Sequence, residues 1–256
     1  MKYIISFVLR KIPRKYIQLV SHYFLGFLAI FYKGNNVQCP IDGRTYRKFL
    51  PYGRINPRPN ALCPSSLSLE RHRLLWLYLQ QRTSFFQDKA RVLHIAPELC
   101  YMRIFASMPN LDYITADIES PLAKVKMDVH QIPFEDNSFD VVFCNHVMEH
   151  VDNDIQAMSE IFRVLKPRGW AIIQSPVFTD LEHTFEDPSI TDPKQRELAY
   201  GQNDHQRKYG RDYPERLRSA GFNVTEDRYL ETLTPEIRRR YALPEEEIIY
   251  LCIKQD

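Results

Sequence analysis

The chain has 256 residues, 44% of them apolar and 26% charged, which suffices for one sizeable domain with an appendage and excludes two large ones. Its formal net charge of +2 leaves no strong phosphate footprint, so nucleic acid is not expected as a partner. The cysteines Cys39, Cys63, Cys100, Cys144 and Cys252 are too few and too scattered for a disulfide framework and suit a reducing cytoplasm.

Residues 1–38 hold Lys2, Arg10, Lys11, Arg14, Lys15 and Lys33 and no acidic residue. The apolar run 3–9 is followed at once by Arg10 and Lys11 with no small-residue cleavage site, so a signal peptide is not expected. Residues 16–32 carry no charge but are interrupted by Gln18, Ser21 and His22. They sit at the short edge of a bilayer span of roughly 17–25 residues. The segment reads as a basic, apolar helical arm. One reading is an interfacial helix, with residues 1–33 in peripheral contact with the inner face of a membrane. The other is an arm packed on its own domain or on a second subunit.

Residues 39–66, CPIDGRTYRKFLPYGRINPRPNALCPSS, have the frame of a zinc ribbon with one cysteine of each C-x-x-C pair replaced, by Asp42 and Ser66. Asp42 could supply an oxygen, whereas Ser66 is a poor zinc ligand at neutral pH. The expectation is a small turn-rich module that keeps the ribbon's shape and holds no metal. The basic and aromatic stretch 44–58 would suit RNA, but such stretches are more often solvated linkers. From Ser68 to about Arg82 a helix is expected, started by Ser68 and carrying an apolar face of Leu74, Leu75, Tyr78 and Leu79.

Residues 91–105, RVLHIAPELCYMRIF, read as strand, sharp turn and helix. Asp117 follows about twenty residues past the turn, the spacing at which an acid meets a ribose hydroxyl in dinucleotide-type folds. Residues 111–175 continue as strand, loop, strand, helix and strand, with the helix from about Asp154 to Leu165. Such alternation of β-branched runs and helix indicates a parallel sheet covered by helices. Acids at the carboxyl ends of such strands sit where open α/β sheets bind ligands.

The order VLHIA, YITAD, MDVHQIPFEDNSFDVVFCNHVMEHV, EIFRVLKPRGWAIIQSP resembles the class I S-adenosylmethionine-dependent methyltransferases, specifically the type 11 family. The segment ending in Ala220-Gly221-Phe222 resembles that family's late helix, and FNVTEDRYL with EEIIYLCIK its closing antiparallel hairpin. The resemblance covers roughly residues 70–254. It implies a doubly wound, Rossmann-like α/β fold with a seven-stranded, mostly parallel sheet. The domains expected are an arm over 1–38, the cysteine module over 39–66 and the methyltransferase domain over 67–256.

By the same resemblance, S-adenosylmethionine would be the cofactor. Asp117 and Ile118 would meet its ribose, Asp128 its adenine amino group, and Val129 and Ile132 would flank the ring. Asn145 and His146 would close the methionine side. The family's first loop is normally an acid followed by Gly-x-Gly. Here it is His94-Ile95-Ala96-Pro97-Glu98, in a chain with no glycine between Gly53 and Gly169. His94, Ala96 and Glu98 are therefore cofactor candidates in altered form: Ala96 is small enough for close approach, and Glu98 could supply the missing carboxylate.

Methyl transfer from a sulfonium asks mainly for positioning, with a base if the acceptor is a hydroxyl. Histidine suits that base, and His150 ranks ahead of His205, with His146 a third candidate. Glu149 and His150 would either face the crevice or cap the following helix. Residues 177–203 form a long acidic excursion, expected to be a lid or binding loop. The expected activity is methylation of a small-molecule or glycan- or lipid-linked acceptor, without a metal. The alternative is a catalytically silent binding or scaffolding protein at the membrane surface.

Overall fold

The computed structural model describes residues 29–53 and 57–256. The expectation for the arm falls mainly on residues 1–28 and lies outside them. No helix among the described residues is long and apolar enough to cross a membrane. The chain forms two compact units that interleave along the sequence. The first takes the described residues up to Phe86 together with 98–104 and Tyr229–Glu247; the second takes Gln87–Pro97, Phe105–Arg228 and Ile248–Asp256.

In the first unit, β1 (Lys33–Gln38) pairs antiparallel with β2 (Thr45–Tyr46), and β3 (Leu50–Tyr52) with β4 (Arg58–Leu62). Helix α1 spans Glu70–Arg82, a run rich in Leu, Arg and Gln, all good helix formers. It begins after Leu69, whose N–H donates to His72 Nδ1 at 3.1 Å, and not at Ser68. Ser68 is instead fully buried beside Cys39, with its hydroxyl 3.5 Å from the sulfur. Every residue from His72 to Leu79 is buried, so α1 is enclosed on all sides and not on a single apolar face.

Arg73, 0% exposed, lies inside this unit. Its five N–H groups donate to the carbonyls of Tyr241 (2.7 Å), Ala61 (3.0 Å), Ser68 (2.8 Å), Asn60 (3.3 Å) and Ala242 (2.6 Å). Its guanidinium also lies over the Phe49 ring, 4.6 Å from the centroid. Nearby, a hydrogen bond from Cys39 holds the Cys63 thiol down at about 6 against the effect of burial, and the same bond raises Cys39.

The second unit is built on one sheet. Its strands are β5 (Ala90–Ile95), β6 (Leu111–Asp117), β7 (Val125–Lys126), β8 (Phe139–Asn145), β9 (Leu165–Gln174), β12 (Asn223–Asp227) and β13 (Ile249–Ile253). Across the sheet they run β12-β13-β9-β8-β5-β6-β7, parallel except for β13, which is antiparallel to both neighbours. This is the doubly wound, Rossmann-like sheet with a closing antiparallel hairpin. Val92, Leu93, Val142, Cys144, Ala171, Ile172 and Ile173 are fully buried, as central parallel strands covered on both faces require. Each larger side chain among them contributes about 1.5–3 kcal/mol.

Helix α2 (Leu99–Ser107) follows β5, and α3 (Asp154–Val164) follows β8. Asn153 caps α3 by accepting from Gln156 N–H at 3.0 Å, so Glu149 and His150 precede the helix and do not cap it. The 177–203 excursion is also more ordered than a bare loop. It contains β10 (Phe185–Glu186), paired with β11 (Arg207–Lys208), and α4 (Pro193–Tyr200). Asp192 caps α4, and Gly201, at φ +89°, ends it. Helix α5 spans Tyr213–Ser219.

Candidate functional site

Strands β5, β6 and β7 step one way across the sheet, and β8 and β9 the other. The switch point therefore lies at the carboxyl ends of β5 and β8, where open α/β sheets bind ligands. Backbone pairing sets Ile95 beside Ala116 and Cys144, and Asn145 beside Gln174, so the strand ends form one row. Two residues leave that row with left-handed backbone: Ala96 at φ +49°, its N–H donating to Ala116 at 2.8 Å, and His146 at φ +57°, its N–H donating to Gln174 at 2.7 Å.

Ala96 thus keeps the backbone turn that glycine would make without strain. Ala96→Gly is expected to stabilise the protein by about 0.5–1 kcal/mol, measured by urea unfolding. Two neighbours in the same loop behave differently from the sequence expectation. His94 is completely buried, 2.7 Å from Tyr113 Oη and packed among Phe105, Tyr113 and Phe143. Its ring is part of the core and cannot touch a ligand. Glu98 groups with the first unit, its carboxylate 4.0 Å from His72 Nε2.

Asp117 and Asp128 use one oxygen each for local turns. Asp117 Oδ1 accepts from the N–H groups of Glu119 and Ser120, both at 2.7 Å. Asp128 Oδ1 accepts from His130 N–H at 2.9 Å and lies 2.7 Å from His130 Nδ1. The backbone bond from His130 leads in holding Asp128 below the usual carboxylate range. Ile118, 56% exposed, presents an apolar face beside Asp117, whereas Val129 and Ile132 are buried behind Asp128.

Beyond β8, Glu149 is 2% exposed. It accepts from Ser175 Oγ at 2.8 Å and lies 3.2 Å from His146 Nδ1. Burial raises its pKa, but the hydrogen bond and charge of His146 outweigh that and keep the carboxyl below its usual range. His150 and His205, separated in sequence by the excursion, meet edge to face with ring centroids 4.7 Å apart. His150 Nδ1 lies 3.3 Å from the Asp204 carbonyl, and His205 Nε2 is buried with no hydrogen-bond partner among the described residues. Glu149, His150 and His205 bring one potential ligand atom each within 4.8 Å of one another. Asn145 is buried at the strand end.

Burial, and after it the adjacent His150, push His205 below its ordinary value of 6.5, while the carboxylates of Glu149 and Asp204 oppose the shift. On acidification through that ordinary value the unfolded chain takes up the proton first, so stability falls as pH drops. Urea midpoints should therefore decline between about pH 7.5 and about pH 5.5, and His205→Gln should flatten the decline.

Sequence reading missed the frame that sets this pair. Arg207, 3% exposed, donates to the carbonyls of Met148, Val151 and Asp152 at 2.8, 2.6 and 2.9 Å and to Glu186 at 2.8 Å. Tyr209 Oη donates to Asp154 at 2.8 Å, and Arg216 grips the same carboxylate at 2.8 and 2.7 Å. Gly210 passes so close to His183 that an added Cβ would lie 2.6 Å from its carbonyl carbon. The presence of Arg207 and Tyr209 close to His205 was the only signal, since nothing local says that the arginine is buried. A groove of about 430 Å³, lined by Arg91, Asn110, Asp112 and Asp140, lies at the opposite, amino-terminal sheet edge and is a different feature.

Residues 99–173 match the family model described as a methyltransferase domain. The sterol 24-C-methyltransferase erg6 of Schizosaccharomyces pombe is 36% identical over 107 residues, 40% of this chain and 27% of that protein. The sterol 4-C-methyltransferase strm-1 of Caenorhabditis elegans is 32% identical over 75 residues, 29% of this chain and 22% of that protein. The chain thus spans about a quarter of the length of the curated relatives it matches. Among solved structures, Burkholderia thailandensis 1,6-didemethyltoxoflavin-N1-methyltransferase aligns with a TM-score of 0.44 and 16% identity, over 68% of this chain and 74% of that one. With the family model falling on the central strands of the doubly wound sheet, residues 99–173 are the part of this chain that is similar to a methyltransferase domain.

Proposed function

We propose that this protein transfers a methyl group from S-adenosylmethionine to a small-molecule or glycan- or lipid-linked acceptor. The observation that carries the reading is the row formed by a left-handed Ala96 after β5, Asp117 at the end of β6 and Asp128 just past β7, both carboxylates with Oδ2 unengaged among the described residues. The cofactor of this family fits that row. Asp117 would accept from its ribose hydroxyls beside the exposed Ile118, and Asp128 from its adenine amino group, with Val129 and Ile132 behind the ring. Ala96 offers close backbone approach, and Asn145 and His146 would close the methionine side.

When bound, the cofactor supplies an electrophilic methyl carbon. The chain's own task is to hold the acceptor in line, exclude water and receive a proton where the acceptor is a hydroxyl. His150, half exposed at the ring pair, is the proposed base, with His205 fixing its orientation or taking its place. The sterol methyltransferases among the relatives support an apolar small-molecule acceptor. The near-neutral charge supports neither RNA nor DNA as acceptor. The proposed location is the cytoplasm, with residues 1–33 against the inner face of the membrane; sedimentation of the protein with anionic vesicles, and not with neutral ones, tests that contact.

Calorimetric titration of the full chain with S-adenosylmethionine and S-adenosylhomocysteine tests the activity. Micromolar binding is expected, weakened about 10- to 100-fold by Asp117→Ala, since a charged hydrogen-bond acceptor contributes about 1.5–3 kcal/mol. The replacement of glycine by Ala96 and Glu98 in the first loop favours the second reading, a silent binding or scaffolding module. Absence of binding in the folded chain would establish that reading.

A further inference from the structure

The cysteine module has a feature that methyl transfer does not use: two turns built alike. In the first, Cys39 N–H donates to Arg44 and Gly43 N–H donates back to Cys39, both at 2.9 Å. In the second, Cys63 N–H donates to Ser68 at 2.9 Å and Leu67 N–H donates back to Cys63 at 3.0 Å. The fourth residue after each cysteine is left-handed, Gly43 at φ +71° and Leu67 at φ +60°. For leucine that backbone costs about 1–3 kcal/mol, so the surroundings impose the turn against local preference.

The equivalent turns face each other. Cys39 Sγ, Cys63 Sγ and a carboxylate oxygen of Asp42 lie within 4.8 Å of one another, and Ser66 Oγ is 3.2 Å from Cys39 Sγ. Asp42 and Ser66 hold the same place in their turns, three residues past the cysteine. Both sulfurs are fully buried. Asp42 Oδ1 accepts from Arg44 N–H at 3.1 Å and Oδ2 from the Ser65 hydroxyl, which orients the carboxylate and leaves each oxygen a lone pair. The Arg73 guanidinium, tied to the Ala61 and Ser68 carbonyls on either side of the second turn, supplies positive charge close by.

We propose that Cys39, Asp42 and Cys63 bind one zinc-class divalent cation, with the Ser66 hydroxyl or a water in the fourth position. Two sulfurs select zinc over magnesium or calcium, and two turns with ligands at their first and fourth residues match the tetrahedral arrangement of structural zinc sites. The charges close: two thiolates and one carboxylate against a dication leave one negative charge, which Arg73 balances. Binding releases the thiol protons to solvent. The sequence alone argued for a metal-free ribbon because Ser66 is a poor ligand; three convergent donors reverse that, since the fourth ligand need not come from the protein. The proposal is independent of methyl transfer.

The test is zinc content of the full chain purified without chelator, followed by cobalt substitution of chelated protein. About one zinc per chain is expected, with a thiolate-to-cobalt charge-transfer band. Asp42→Ala should weaken zinc at least about tenfold in competition with a chromophoric chelator, and Ser66→Cys, which restores a C-x-x-C pair, should tighten it by a similar factor. Less than about one-tenth zinc per chain with no uptake from a zinc buffer, or cobalt bound without the thiolate band, overturns the proposal. Both readouts are made on the unsubstituted chain, so they stand even where a cysteine variant fails to fold.

Discussion

Asp154→Ala is expected to lower stability by about 3 kcal/mol, because the lost carboxylate leaves the Arg216 guanidinium only Glu186 and the Tyr209 hydroxyl only the Met148 carbonyl as acceptor. Asp154 is 1% exposed, and Arg207, 3% exposed, lies 3.9 Å away, so its charge also loses compensation. The consequence should reach the candidate site, since Arg207 holds the segment that brings His205 onto His150. Burial raises the Asp154 pKa, yet the bond from Arg216 and the nearby Arg207 and Tyr209 leave it below the ordinary carboxylate value. A depressed carboxyl contributes above its unfolded value and loses that contribution as pH falls through the folded one. The gap between wild type and variant should therefore be full at neutral pH and close under acid. Urea unfolding at a series of pH values measures it; an equal gap at pH 7 and in strong acid would contradict the ion-pair explanation. Asp154→Asn, which keeps an acceptor without the charge, should lose less than alanine does.

Arg73→Met should be at least as damaging to the first unit, by about 3–5 kcal/mol, for a different reason. Methionine fills most of the volume but leaves five backbone carbonyls without their donor. Two of those carbonyls belong to Asn60 and Ala242, left-handed residues at φ +54° and +45°, so the guanidinium also holds strained backbone in place. Lysine offers three donors from a point and cannot reach five carbonyls in a plane, so Arg73→Lys should recover only a minor part. Thermal unfolding with hydrogen exchange at residues 60–68 and 241–243 is the measurement. Unchanged protection there in Arg73→Met would show that the carbonyls find water instead.

The sheet was legible in the sequence for a simple physical reason. Strands buried on both faces must be continuously apolar, and residues 92–93, 141–144 and 171–173 are, while Asp117 closes β6. Asp117 and Asp128 could be placed beside early strand ends because spacing reports position along a strand, while the roles proposed for them rest on the family resemblance. The turn at Ala96 was legible only as a departure from the family pattern, and the structure gives it the left-handed backbone that glycine adopts without strain.

What the sequence could not report is which charges are buried. Arg73 and Arg207 look like ordinary surface residues on any periodicity argument, and their burial follows only from carbonyls supplied by distant segments. His94 looked like a ligand residue because its neighbours match a cofactor loop, yet its place in β5 points the ring into the aromatic core. The pairing of His150 with His205, the grip of Ser175 on Glu149 and the facing of Cys39 with Cys63 join residues separated by long loops. Local pattern fixes which face of an element is apolar, because that depends on near neighbours in the chain. Only closure of the tertiary structure decides which polar groups meet, because their partners come from parts of the chain that local periodicity cannot relate.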